Sequence, residues 1–141
     1  DTMDYDCIRE QIIADSAECV LREITYDIAN AVQLVNDLAR DGFTLVESRQ
    51  GMLSMSPPTK TLGELIAGQK WLHGDNPVAT WMASNAVAVS DSGGNIKLTK
   101  DPKFTLGRID GMIAAIMALG RWLADPKAAG SVYEKRGMLW V

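Results

Sequence analysis

The sequence predicts a protein of the α/β class. A β-branched segment at 20–26 is followed by an amphipathic helix pattern at 31–38 that stops at Gly42, and a second short apolar run occupies 43–47. Strand, helix and strand in this order form a βαβ unit with parallel strands and a right-handed crossover. We therefore predict a sheet that contains a parallel pair and is flanked by helices.

Helices and a hairpin surround that unit in the prediction. Residues 4–18 have near-helical apolar spacing with acidic residues in the first turn, which predicts a helix. Pro57 and Pro58 suit the first turn of another helix, which should end near His73. Asn76 and Pro77 then suit the N-cap and first position of the next helix. Three of its side chains should face the core: Val78, Trp81 and Met82.

The last third of the chain predicts a hairpin and a long helix. Two β-type runs, 86–90 and 95–99, flank the turn-rich tetrapeptide 91–94. A continuous apolar stripe then predicts a helix over 106–124, which Asp125 and Pro126 end. We assign 1–125 to one domain and 126–141 to a C-terminal tail.

Composition excludes several classes of protein. With 141 residues, 47% of them apolar, one compact domain is expected. The longest apolar stretch, 112–120, is far shorter than the roughly 20 residues of a membrane span. A net charge of -4 limits any DNA contact to a local surface. Cys7 and Cys19 form neither a disulfide framework nor a zinc-ligand set, which fits a reducing cytosol. Asp1 is not a natural start, so we expect a preceding segment.

Two aspartates are the candidate metal ligands. A lone His73 is more typical of a surface or cap position than of a catalytic centre. Asp27 ends a predicted parallel strand, where α/β sheets bind ligands, and Asp110 lies in the first turn of the last helix. Hard dications such as Mg²⁺ prefer such oxygen ligands. Spacing alone, however, favours structural roles, with Asp27 capping a loop and Asp110 complementing a helix dipole.

Basic residues precede Asp110 and suggest a local DNA contact. They are Lys97, Lys100, Lys103 and Arg108, with Lys60 a weaker candidate. Such residues either contact phosphates or keep a solvated strand edge from aggregating, and the sequence favours neither.

A series of motifs narrows the interpretation. These are Arg-Glu-Ile-Thr-Tyr-Asp at 22–27, Gln-Leu-Val at 33–35, Ser-Met-Ser-Pro-Pro-Thr-Lys at 54–60, His-Gly-Asp-Asn-Pro-Val at 73–78, Trp-Met-Ala-Ser-Asn at 81–85 and Arg-Ile-Asp-Gly at 108–111. Their order and spacing over 5–122 resemble the C-terminal nuclease part of the large terminase subunit of tailed bacteriophages. The resemblance implies a ribonuclease H-like mixed sheet flanked by helices, attached to an upstream ATPase domain.

The resemblance also implies a site and partners. The family holds Mg²⁺ or Mn²⁺ with three aspartates, of which Asp27 and Asp110 match the second and third. The first has no counterpart here, so we expect the first strands to be missing and the chain alone to be a poor enzyme. The implied reaction is metal-dependent hydrolysis of concatemeric double-stranded DNA in the bacterial host cytoplasm. Partners would be the small terminase subunit and the portal, with no membrane.

Two other functions and one association remain open. A junction resolvase-like nuclease would share the fold, but the Ser-Pro-Pro and Asn-Pro motifs argue against it. A docking module for the portal or small terminase subunit would need no metal. Without upstream strands, the strand at 20–26 has an open edge, which predicts self-association through that edge.

Overall fold

The structure, a computed structural model, describes residues 4–29, 31–103 and 106–125, so the predicted tail lies outside the described residues. It consists of two compact units, divided between Arg49 and Gln50. The α/β class is confirmed. The elements in chain order are α1 (Tyr5–Glu18), β1 (Ile24–Tyr26), α2 (Val32–Arg40), β2 (Leu45–Glu47), α3 (Met52–Ala67), α4 (Pro77–Ser84), β3 (Ala86–Ser90), β4 (Ile96–Lys100) and α5 (Asp110–Ala124).

The first unit contains the predicted βαβ arrangement. β1 and β2 pair in parallel, with Ile24 opposite Leu45, and α2 connects them. α2 ends before Gly42, whose φ of +92° is a left-handed conformation that glycine adopts without strain. The predicted parallel pair and the glycine stop are therefore confirmed.

The predicted strand at 20–26 is too long. Only Ile24–Tyr26 is a strand, and Val20 is 92% exposed. β2 also has only three residues, and these pair with Ile24–Tyr26, so β2 offers no strand partner to the segment before Ile24. Within the part of the chain that the structure describes, β1 pairs with β2 alone.

An ion pair ties α1 to the end of α2. The guanidinium of Arg9 donates from Nε and Nη2 to the two carboxylate oxygens of Asp41. This hydrogen-bonded charge lowers the pKa of Asp41 below its ordinary value. At its N-terminus α1 is capped by Asp4, which accepts hydrogen bonds from the amides of Asp6 and Cys7.

The second unit has a methionine-rich core between α3 and α5. Ile116 is fully buried, and the other members of the core are Met55, Leu62, Met112 and Met117. β3 and β4 form the predicted antiparallel hairpin, and Leu98 of β4 packs against this core. The buried hydroxyl of Ser56 in α3 accepts a hydrogen bond of 3.1 Å from the amide of Ile96, which attaches the helix to the hairpin.

The boundaries of α3 differ from the prediction. Pro57 and Pro58 lie inside this helix rather than in its first turn, and it ends at Ala67, before His73. Prolines remove two helical hydrogen bonds. Buried packing compensates, since Pro58 is buried and its Cγ would lie 3.4 Å from a methyl group added at Gly120 of α5.

Three further expectations need correction. α5 begins at Asp110 rather than at residue 106, and Leu106 is exposed. Val78 and Trp81 are 54% and 46% exposed, while Met82 does contact the core. α4 is short, with eight residues, and so it turns only one side chain of the predicted three inward.

The strands do not form one mixed sheet in the described residues. The parallel pair and the antiparallel pair are separate two-stranded sheets, one in each unit. Among the described residues, no helix is long and apolar enough to cross a membrane.

Acid should release α1 from α2. Because the folded state lowers the pKa of Asp41, the pair stabilises the fold above the ordinary value of 3.8 and is lost as the pH falls through the folded pKa. We expect the amide protection of α1, measured by hydrogen exchange, to fall below about pH 4. Arg9→Gln should lower that protection at neutral pH and remove the acid step. Identical pH profiles for the two chains would contradict this role.

Candidate functional site

Asp27 lies directly after β1, at the carboxyl end of the parallel pair. Its Oδ1 accepts a hydrogen bond of 3.0 Å from the amide of Ala29, which confirms the loop-capping role. The side chain is partly exposed, and no described residue bonds to Oδ2. One oxygen therefore fixes the side chain to its own loop, and the other has no partner among the described residues.

Asp110 is the first residue of α5, and its side chain is exposed. No hydrogen bond or ion pair with a described residue holds its carboxylate. The preceding Ile109 occupies the N-cap position without a side chain that can cap the helix. The direction of the Asp110 carboxylate therefore depends on the backbone that carries it.

Met82 of α4 and Asn85, the C-cap residue of that helix, fix this backbone. Asn85 is 4% exposed, and its Nδ2 donates a hydrogen bond of 3.1 Å to the carbonyl oxygen of Arg108. The amide of Gly111 donates to the sulfur of Met82 at 3.1 Å. Neither residue was predicted from the sequence to act at the site. The motif at 81–85 contained both, but the contacts span 23 and 29 residues of chain and have no local signal.

The chemistry of the two aspartates fits a hard dication. Mg²⁺ and Mn²⁺ prefer oxygen ligands, and Mg²⁺ is commonly held by one or two carboxylates together with water and substrate phosphate. Among the described residues, no group of three or more acidic, histidine or cysteine side chains is arranged to hold a metal. Asp27 belongs to the first unit and Asp110 to the second, and their meeting at one ion stays a prediction.

The basic residues do not share one face of the hairpin. Successive side chains of a strand alternate between faces, so Lys100 lies on the same side as the core-facing Leu98, and Lys97 lies on the other. Lys100, Lys103 and Arg108 are exposed and follow the chain from the end of β4 towards Asp110. Hydrogen bonds from Asn95 lower the pKa of Asp91 in the hairpin turn, and the charge of Lys60, which is exposed on α3, contributes less to the same shift.

The remaining candidates have no place in a catalytic arrangement of described residues. His73 is exposed in the segment between α3 and α4, as the prediction of a surface position required. Cys7 and Cys19 are free and exposed.

Comparison with known proteins places this α/β chain in a class of DNA-processing domains. The family model described as the endonuclease domain of the terminase large subunit matches residues 2–125. The chain belongs to this terminase large subunit endonuclease family, and the match includes both aspartates. The family resemblance in the motifs is thereby confirmed.

The chain is similar to three proteins or structures of greater length. It is 37% identical to the terminase large subunit of Enterobacteria phage HK97 over 132 residues, which are 89% of this chain and 25% of that protein. It is 31% identical to protein YmfN of Escherichia coli K12 over 137 residues, 97% of this chain and 28% of YmfN. The crystal structure of the HK97 large terminase matches with a TM-score of 0.73 and 36% identity, over 84% of this chain and 25% of that one. The chain thus spans about a quarter of each relative.

Replacing either aspartate by asparagine should leave the fold nearly intact. Asp27→Asn keeps a side-chain oxygen for the amide of Ala29, and Asp110→Asn loses only a favourable charge at a helix start, about 0.3–1 kcal/mol. We expect the free energy of unfolding in urea to change by less than about 1 kcal/mol. Asn85→Ala should cost about 1–3 kcal/mol, because it leaves the carbonyl of Arg108 without its donor. A larger loss for either aspartate variant would make that carboxylate structural.

Proposed function

We propose that this chain is the nuclease part of a DNA-packaging terminase large subunit and hydrolyses phosphodiester bonds of concatemeric double-stranded DNA with Mg²⁺ or Mn²⁺. The observation that carries the proposal is the family match over residues 2–125. Asp27 and Asp110 support it, since each has carboxylate oxygen that no described residue occupies. A strand end and a helix start are rigid positions from which to offer such oxygens.

The chain's own residues would have distinct roles in this reaction. Asp27 would hold the metal through Oδ2, while the bond from the amide of Ala29 to Oδ1 fixes the orientation of the carboxyl group. Asp110 would offer its carboxylate from the first turn of α5. A bound dication supplies charge that polarises the phosphoryl group and activates water. The basic residues from Lys100 to Arg108 would align the DNA backbone beside these ligands.

The family resemblance extends this proposal to the surroundings of the site. We propose that residues 1–125 act as one ribonuclease H-like nuclease domain that works with an ATPase domain, the small terminase subunit and the portal in the host cytoplasm. A third aspartate of the family's metal site has no counterpart in these 141 residues. We therefore propose that this chain alone binds metal weakly and cuts DNA slowly.

The aspartates should be required for cutting. In a plasmid-nicking assay with Mn²⁺, Asp27→Asn and Asp110→Asn should each lower the rate more than about 100-fold, since loss of even an indirect metal partner costs about 10–100-fold. The assay uses the complete large subunit that we propose contains this chain. Asp75→Asn is the matched control, because Asp75 is exposed and has a φ of +53°, a conformation that asparagine tolerates. Undiminished nicking by either site variant would reject the assignment of that aspartate as a metal ligand. That result would favour the alternative function, a docking module.

The basic residues should set the salt dependence of DNA binding. Each phosphate contact contributes about 0.9 to the slope of log K against log salt concentration. In fluorescence anisotropy with duplex DNA, we expect Lys100→Gln, Lys103→Gln and Arg108→Gln each to reduce the slope by about one. Lys60→Gln and Lys97→Gln should have smaller effects, because Lys97 lies on the opposite face of the hairpin and Lys60 is on α3.

Lys70→Gln is the control for these variants, since Lys70 is exposed and lies after the end of α3, outside the basic run that leads to Asp110. Unchanged slopes in the Lys100, Lys103 and Arg108 variants would show that these residues form only a solvated edge.

A further inference from the structure

The start of α5 is capped by another helix. Ile109 at the N-cap has no side-chain acceptor, and the amides of Met112 and Ile113 both bond to its carbonyl oxygen. The amide of Gly111 is instead bonded to the sulfur of Met82 in α4. Helix starts leave four amides without intrahelical partners, and a polar side chain at the N-cap normally accepts from the second or third of them. Here a methionine from α4 has taken part of that role.

Asn85 fixes the chain just before the same helix start. Its backbone amide bonds to the carbonyl of Met82, its backbone carbonyl accepts from Asp101 at 2.8 Å, and its side chain donates to Arg108. The residue is buried, where an unbonded amide group would be costly, so these bonds hold it in one orientation. The two contacts therefore fix the backbone two residues before Asp110 and one residue after it.

Gly111 leaves room for this contact. A methyl group at this position would lie 2.8 Å from the Met82 sulfur, so the flexible methionine side chain would have to shift away. A glycine directly after Asp110 leaves room for the Met82 sulfur, which accepts a hydrogen bond from the amide of that glycine. This contact explains why glycine follows the aspartate. The Asp110 carboxylate itself has no bond to a described residue, so within the described part of the chain this backbone sets its direction.

We propose that Met82 and Asn85 are positioning residues that aim the Asp110 carboxylate at the dication. This inference rests on the proposed function, in which Asp110 is a metal ligand. Partners that orient a metal ligand typically contribute about 10–100-fold to metal affinity. Loss of the sulfur acceptor lets the first turn of α5 fray, and the carboxylate then samples several directions.

The test measures Mn²⁺ binding to the 141-residue chain by electron paramagnetic resonance. Met82→Leu conserves volume and removes the acceptor, and we expect it to raise the dissociation constant about tenfold. Gly111→Ala should do the same, because its methyl displaces the sulfur. The matched control is Met117→Leu, which removes another sulfur contact, to Gln50, within α5 but two turns from Asp110. This control should change the constant less than about twofold.

Asp110→Asn separates this inference from the proposed function. If Asp110→Asn leaves the dissociation constant unchanged, then Asp110 is not a ligand and both proposals fall. If the parent chain binds no Mn²⁺, the weak metal binding proposed for this chain is wrong, and the positioning inference falls with it. If Asp110→Asn weakens binding while Met82→Leu and Gly111→Ala bind like the parent, only the positioning role is overturned. Weakening by Met117→Leu equal to that by Met82→Leu would show a general packing effect and overturn it as well. Hydrogen exchange of the amides at 111–113 should be faster in Met82→Leu than in the parent chain, and unchanged in Met117→Leu.

Discussion

The part of the candidate site that lies in the second unit depends on the hydrogen bonds of the buried Asn85. It lies where α4 ends and β3 begins, and it bonds to the chain just before α5. Its backbone carbonyl also accepts from Asp101, directly after β4. One residue thus joins two helices and both strands of the hairpin. Since a buried amide tolerates no loss of partners, small shifts of α5 relative to α4 are strongly disfavoured.

Elements that depend on local chemistry could be predicted from the sequence. Asn76 is the N-cap of α4 with Pro77 following it, and Gly42 ends α2, as these residue types require. The elements that were placed wrongly depend on partners far along the chain. α3 continues through Pro57 and Pro58 because the buried packing of Pro58 compensates for lost hydrogen bonds, and β1 is short because only the three residues of β2 pair with it. Neither the packing against the prolines nor the length of the pairing strand can be recognised from the local sequence.

The candidate site shows the same division. Asp27 and Asp110 could be selected because motif order identified them, and their positions at a strand end and a helix start agree with the prediction. Met82 could not be assigned, since a methionine in an apolar helix predicts core packing, and a bond from its sulfur to an amide 29 residues away is a tertiary event. The alternation of a strand also divides Lys97 from Lys100, although they look like one basic run in the sequence.

The proposed function requires Asp27 and Asp110 to bind the same ion. Nuclear magnetic resonance of the ¹⁵N-labelled chain, titrated with Mn²⁺, tests this most directly, because a paramagnetic ion broadens nearby amide signals. The account predicts that the signals of Ala29 and Gly111 broaden together, with one midpoint, and that excess Mg²⁺ restores both. Broadening around one aspartate only, or two separate midpoints, would contradict a shared site.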